Sequence, residues 1–481
     1  MKVKKISVIY ITAVLFIFAG IQVIHAQGGT GTTQYFLKIL PQQSNNNPAF
    51  IPNVKSYFSF PFLGNIHLEL NNEICSWNRV FERGADDSLR VNTNKFLSKL
   101  ENGNILRLSL DEEIIRFGFH GAGGFFHAGI AVHGEANAVL SKNLFDFVLR
   151  GPGANINEPD LSRNDISATA YASLYLGYSR QIGKKLTVGG RVKLLNGIAN
   201  VRTQKFNAQW RILNEDMSNP NITPYSYEFE INSIIQSTLS LPLDGDNFLF
   251  NTNSAFGNIG FGIDLGINYT LIPNLNISAS VLDMGAIWWR DGQQYVSDKT
   301  TKAPYLFQGV GNIDFKNTVD LGSILNPMLE ELIDTLGFKN AGPKKYATAL
   351  PAQFLAGISY TLAEMNTFGL LLKGQIIGNK FFNFEAGVSY TFMVKNFGIS
   401  LNNIFTRNSA FNFGGALVAN LGPIQIHLGL DRITSFNVAA MRGVNFNFGI
   451  NILIGKKEIL RHKIEEVADE EAAEQNMKLQ Q

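Results

Sequence analysis

Along "GVNFNFGINILIG", residues 443–455, apolar and polar positions alternate without a break. Val444, Phe446, Phe448, Ile450, Ile452 and Ile454 fall on one face, and Asn445, Asn447, Gly449 and Asn451 on the other. A period of two is the signature of a β-strand. The pattern recurs in "GNIGFGIDLGINYTL", where Ile259 to Tyr269 alternate with Asn258 to Asn268, and in "KFFNFEAGVSYTFMV", where Phe382 to Phe392 alternate with Asn383 to Thr391. A soluble β-sandwich also alternates, but its strands run to about 5–6 residues. These runs hold ten or more, enough to cross a bilayer at a tilt. Their second face is small or polar rather than heavily charged, which suits a lumen better than a solvated sheet face. The pattern predicts an all-β protein, a transmembrane antiparallel β-barrel.

Turns set the direction of the strands. "YSRQIGKKL", "YTLIPNL", "YTLAEMNTF" and "YTFMVKNF" each place a tyrosine (Tyr178, Tyr269, Tyr360, Tyr390) before a short turn and a new strand. Amphipathic rings favour a membrane interface, and short turns in such barrels face the periplasm. Strands running towards those turns are expected near 103–119, 164–181, 257–271, 347–362, 380–394, 411–421 and 443–455. Returning strands are expected near 56–70, 124–136, 184–198, 274–284, 366–378, 397–405 and 424–433. The total is about fourteen, an even number as bacterial barrels have. Parity requires the two further strand-like segments 201–213 and 225–240 to pair outside the membrane. One fault in the alternation predicts a β-bulge near Leu282. Ile277, Ala279 and Val281 face lipid, and the same phase would put Asp283 there too; one extra residue turns it inward.

The ends read differently. "MKVKKISVIYITAVLFIFAGIQVIHA", residues 1–26, has the layout of a secretory signal peptide cleaved after Ala26. Residues 27–55 precede the first strand, and the barrel spans 56–455 with large outer regions near 200–256 and 285–345. Asn326 to Gly337 within the second region looks helical. The charged tail 456–481 is predicted to be a periplasmic helix, with Leu460, Ile464 and Val467 as a short apolar stripe.

Composition agrees with a membrane protein. Charged residues make up 17% of the 481, against roughly 25% in soluble domains. The formal charge of +2 becomes −1 once the leader takes away three lysines and no acid, so no basic surface is offered to nucleic acid. The single cysteine, Cys75, cannot form an internal disulfide.

"QSNNNPAFIPN", residues 43–53, suits neither helix nor central strand. Within it "NNNPAF" resembles the Asn-Pro-Ala stretch in the N-terminal hatch of FadL-type fatty-acid channels, which corresponds here to Asn47, Pro48 and Ala49, with Asn45 and Asn46 just before them as further candidate plug residues. "LGYSRQIGKKLTVGGRVKLLNG" and "SASVLDMGAIWW" resemble segments of FadL-like barrels of bacteroidete type, a group that includes the PorV barrel of type IX secretion and families of unknown function. The resemblance implies an outer-membrane location in a Gram-negative cell and an N-terminal plug folded into the lumen. It also implies a channel for hydrophobic or amphipathic small molecules. The PorV likeness, the outer loops and the charged tail support an alternative, a non-transporting scaffold with a periplasmic or secretion-system protein partner.

Alternation assigns Arg191, Lys193, Asp264, Lys373, Gln375, Glu385, His427 and Asp431 to the lumen, where they line a solute path or pair structurally. His127, His133 and Glu135 share a face, but on a strand the two histidines lie roughly 20 Å apart and cannot share a metal. No nucleophile motif stands out and no cofactor is expected, so an enzyme is not predicted. Outer-membrane lipid is the one partner every version requires.

Overall fold

The computed structural model describes residues 32–74, 76–83, 89–150, 161–213, 226–240, 257–304, 314–315, 337–377, 381–407, 409–435, 437 and 440–456. The expected signal peptide, the expected tail helix beyond Lys456 and all of the expected 326–337 helix except Gly337 lie outside these residues.

Fourteen antiparallel strands close into a barrel. They are β1 (Val54–Ser59, continued by Ile66–Asn72), β2 (Asn104–Gly121), β3 (Gly124–Leu140), β4 (Asp165–Ile182), β5 (Leu186–Lys205), β6 (Asn258–Ile272) and β7 (Leu275–Trp289). The second half comprises β8 (Tyr346–Ala349, continued by Gln353–Leu362), β9 (Asn366–Ile377), β10 (Phe381–Val394), β11 (Phe397–Phe405), β12 (Phe413–Leu421), β13 (Ile424–Ile433) and β14 (Gly443–Lys456). Each pairs with the next, and β14 closes the ring on β1, with Phe58 opposite Ile452 and Leu68 opposite Phe446. The number and places of the wall strands are those the alternation predicts.

The two rims differ. At one end six short turns join β2–β3, β4–β5, β6–β7, β8–β9, β10–β11 and β12–β13. One of the two-residue turns, Ala122–Gly123, has φ of 50° and 73°, the left-handed pair that matches strand twist in a two-residue hairpin. Longer connections gather at the other end. There β5 runs on to Lys205, past its expected end near 198, because Val201–Lys205 pairs with part of the outer strand Ser226–Ser237. That outer strand also pairs with Ala208–Leu213 and, along its whole length, with Gln293–Pro304. Segments 201–213 and 225–240 thus meet in a sheet that rises from the wall. Nearby, Ile74, Phe96, Leu97, Leu100 and Leu106 form a small apolar core beneath the helices Thr93–Ser98 and Lys142–Arg150.

The molecule is inverted relative to a soluble protein. Val192, Leu194, Ile259, Phe261, Leu265, Ile267, Phe368, Phe384, Leu401 and Leu417 stand exposed on the outer face, while Arg191, Lys193, Asp264, Glu385 and Asn447 are buried within. Tyr269, Tyr360 and Tyr390 are exposed near the short-turn rim, and Tyr178 there bonds the Ala122 carbonyl at 2.8 Å. An apolar band of this kind, closed so that no backbone edge is left unpaired, is the architecture strands use to cross a bilayer. No described helix is long and apolar enough to cross a membrane.

Bulges break the alternation where the lumen needs an extra side chain. Leu282 and Asp283 together face Asp264, since Ile263 pairs with Met284 but Leu265 with Val281. Asp283 takes φ 58°, and from there the phase flips, with Ile287 and Trp289 buried and Trp288 exposed. This is the bulge predicted near Leu282. A second, at Ile114, puts Glu113 and Arg116 on the inner side. A third lies at Asp431–Arg432, where Arg432 has φ 57°.

Candidate functional site

The chain before β1 lies against the inward-facing side chains of the wall. Its apolar part, "YFLKIL", supplies Tyr35 and Phe36 to a cluster with Leu282, Leu355 and Leu371, and Leu37 and Leu40 to another with Ala416 and Val418. A 3₁₀ turn, Pro41–Asn45, then carries the polar stretch. Pro41 supplies a fixed φ and no N–H donor at the start of that turn.

Polar side chains tie this segment to strands around the ring. Thr33 donates its backbone N–H and its hydroxyl to Asp431 at 3.3 and 2.9 Å. Gln42 exchanges amide bonds with Asn451 at 2.7 and 3.0 Å. Asn45 Oδ1 accepts from Arg116 Nη1 and Arg191 Nη1 at 2.8 and 3.0 Å, and its Nδ2 donates to Glu113 at 3.1 Å. Arg116 also holds Ser44 Oγ and the Pro41 carbonyl.

Asn47 folds its side chain back to accept from the Ala49 N–H at 2.9 Å, and its Nδ2 donates to the carbonyls of Ile267 and Ala279 at 3.0 and 3.2 Å. This use of asparagine, half local turn and half tertiary bond, is what the residue type allows. Ser179 and Ser280 donate to the carbonyls of Pro48 and Asn46 at 2.5 and 2.6 Å. The approach is close enough to exclude a Cβ on the wall. One at Gly266 would strike the Asn47 amide, and one at Gly189 the Pro48 carbonyl. Asn46 departs from expectation. Its side-chain amide has no hydrogen-bond partner among the described residues, and only its backbone is used, the N–H donating to Gln43 O at 2.9 Å.

The lumen charges named from the sequence pair in two places. Arg191 and Lys193 flank Asp264 at 2.6 and 2.9 Å, and Lys193 reaches Asp283 at 2.6 Å. Glu385 binds Arg432 at 2.5 Å. Lys373 lies opposite Glu385, and Gln375 opposite Asn383, in the ladder. Asp431 holds Thr33 and accepts from Asn402 at 2.6 Å. His427 is buried with neither ring nitrogen bonded among the described residues. The sequence reading omits Glu113, Arg116 and Arg432, which lie at the two bulges it does not place. It also omits Tyr35, Phe36, Leu37 and Leu40, whose short apolar run is too irregular to mark an element.

Above the segment, towards the rim of long connections, lies a cavity of about 140 Å³. Gln34 and Asn45 line it from below, with Asp111, His133, Glu135, Tyr171, Lys193 and Asp283 on the wall and Leu282, Leu350 and Pro351 as its apolar side. Within it His133 Nδ1 meets Asp111 Oδ1 at 2.5 Å, and His133 Nε2 meets Ser173 Oγ at 2.9 Å. The connectivity is that of a nucleophile relay. Ser173, however, is buried in a ladder paired on both sides, with Ala131 and with Leu195. That pairing commits the adjacent backbone N–H groups and leaves them unable to form an oxyanion hole. His127 lies apart, against Tyr175 at 6.3 Å between ring centroids. No group of three metal-ligating side chains occurs among the described residues.

No curated protein matches the chain significantly in sequence. Among solved structures, the Ralstonia pickettii toluene transporter TbuX is similar at a TM-score of 0.42 and 12% identity, covering 86% of this chain and 94% of that one. The P. putida toluene transporter TodX gives 0.38 and 8%, with 85% and 93% covered. A Pseudomonas aeruginosa FadL homologue gives 0.38 and 10%, with 90% and 100% covered. A family model matches residues 48–431, from the Asn-Pro-Ala stretch almost to the end of β13, and the chain belongs to that family of unknown function, DUF5723.

Proposed function

We propose that the protein is a FadL-like channel of the outer membrane, closed at rest by its N-terminal segment acting as a plug, and that it admits small amphipathic molecules. The observation that carries this reading is how the segment is held. Many of its ties are one or two hydrogen bonds to each of several strands, Thr33 to β13, Gln42 to β14, Asn45 to β2 and β5, and Asn47 to β6 and β7. Such bonds are worth about 0.5–1.5 kcal/mol each, and somewhat more when one partner is charged. They can be exchanged for water one at a time, unlike a fused core. The cavity above has charged and apolar sides, which favours an amphipathic solute over a purely hydrophobic one. The apolar outer band supports a place in the membrane.

Conductance in planar bilayers tests this reading. The mature chain should conduct little, and a variant lacking residues 34–53, which stops short of β1, should fold and conduct strongly. A folded deletion without added conductance would overturn the plug. The outer sheet built on Ser226–Ser237 favours a second reading, a PorV-like scaffold that presents this sheet to a protein partner. Stoichiometric co-purification of a partner, together with no conductance from the deletion, would select it.

A further inference from the structure

Charges around the cavity are not equally presented to a solute. The carboxylates stand forward: the side chains of Asp111, Glu135 and Asp283 are 39%, 17% and 16% exposed. The cations paired near them stand back, with Arg107, Arg191 and Lys193 at 4%, 6% and 8%. The total charge is nearly balanced, but the accessible surface is acidic. His133 adds no free donor, since one ring nitrogen meets Asp111 and the other Ser173. Arg202 lines the far side, where its Nε and Nη2 are taken by Gln236 Oε1 at 2.9 and 2.7 Å and its guanidinium lies 5.2 Å from the centre of the Tyr346 ring.

A second observation points the same way. Asn65 and Glu113 line the cavity and are more than nine-tenths buried, yet Asn65 Oδ1 and Glu113 Oε2 have no hydrogen-bond partner among the described residues. Both atoms are acceptors, and buried acceptors are costly to leave unpaired. Two donors are in the same state. These are the Gln34 amide and Arg107 Nε, the latter with Glu69 at 4.0 Å; a third acceptor lining the cavity, Gln353 Oε1, is likewise without a hydrogen-bond partner among the described residues, so acceptors outnumber donors. Leu282, Leu350 and Pro351 add apolar surface to the lining.

We propose that this cavity binds a small amphipathic amine, its ammonium group facing Asp111 and Glu135 and its apolar part lying along Leu282 and Leu350. The proposal rests on the cavity being a solute site, as in the channel reading. An ammonium carries three donors and no acceptor, so it complements an acceptor-lined surface. A carboxylate solute would meet Asp111 at close range in a medium of low dielectric, where like charges repel strongly.

The test is isothermal titration of the refolded full mature chain in detergent with 2-phenylethylamine, 2-phenylethanol and 3-phenylpropionate. The amine should bind, the alcohol should bind about tenfold or more weakly, and the carboxylate should not bind. Asp111→Asn should weaken the amine by about tenfold or more, the usual scale for a charged hydrogen bond. Glu135→Gln should weaken it in the same direction, and serves if the first variant fails to fold. No amine binding, equal binding of alcohol or carboxylate, or unchanged affinity in a folded variant would each overturn the proposal. Conductance of the plug deletion is read separately, so a failed plug and a failed amine site are distinguishable.

Discussion

Asn45 and Arg191, far apart in sequence, meet at 3.0 Å where the N-terminal segment crosses the lumen. The same amide oxygen takes a second guanidinium hydrogen from Arg116 at 2.8 Å, and the amide nitrogen donates to Glu113. One neutral side chain thus bridges three buried charges on two strands.

Replacing Asn45 with alanine should therefore do more than remove one contact. Two buried guanidinium groups lose an acceptor, at a cost of about 1–3 kcal/mol. The variant should remain a barrel, while limited proteolysis should cut within residues 33–53 faster than in the parent. Unchanged protection would show that the apolar anchors Tyr35, Phe36 and Leu37 hold the segment unaided.

Gly266 predicts a steric version of the same experiment. A Cβ there would overlap the Asn47 amide and the Pro48 ring. Gly266→Val should displace the segment without disturbing the wall, because Gly266 pairs with Ser280 and Gly189 through backbone alone. Its expected phenotype is raised conductance with normal heat-modifiable migration in SDS gels. Parental conductance would place the segment elsewhere.

Asp264 is the hinge of the buried ion cluster, shared by Arg191, Lys193 and the Asp283 N–H. Asp264→Asn leaves two cations to share Asp283 and neutral acceptors. Breaking a buried pair in this way typically costs about 3–5 kcal/mol. The midpoint of urea unfolding should fall clearly, with the slope retained. A midpoint equal to that of the parent would mean that water screens this cluster.

The bulge makes an unusual prediction about length. Deleting Leu282 removes the extra residue, so Ser280, Asp283, Gly285, Ile287 and Trp289 would continue one inward phase. The chain should still insert as a heat-modifiable barrel rich in β-structure by circular dichroism. It would lose one buried leucine beside Tyr35 and Phe36, a change worth about 2–5 kcal/mol. Failure to assemble would show that the bulge sets the register of the whole wall.

The wall was legible in the sequence because each membrane-facing residue answers to one local condition. An outward side chain must be apolar, the next inward one need not be, and a period of two follows in every strand. Even the Leu282–Asp283 bulge was legible, since it rescues an aspartate from lipid. The same logic applied to the adjacent pair Asp431–Arg432 would have found Arg432.

What only the tertiary structure decided is how the inner face is joined. Inward positions meet across the lumen and not along the chain, so nothing in the local pattern says that Gln42 will find Asn451, that Thr33 will find Asp431, or that Glu385 will choose Arg432 over the directly opposed Lys373. The asparagine-proline stretch declared itself unfit for helix and sheet, because its φ limits and missing donors are properties of single residues. Its fit against Gly189 and Gly266, and the use of Asn45 and Asn47 but not the Asn46 amide, depended on barrel closure. Closure brings strands from both halves of the chain around one segment, and that geometry is set by the shape of the ring.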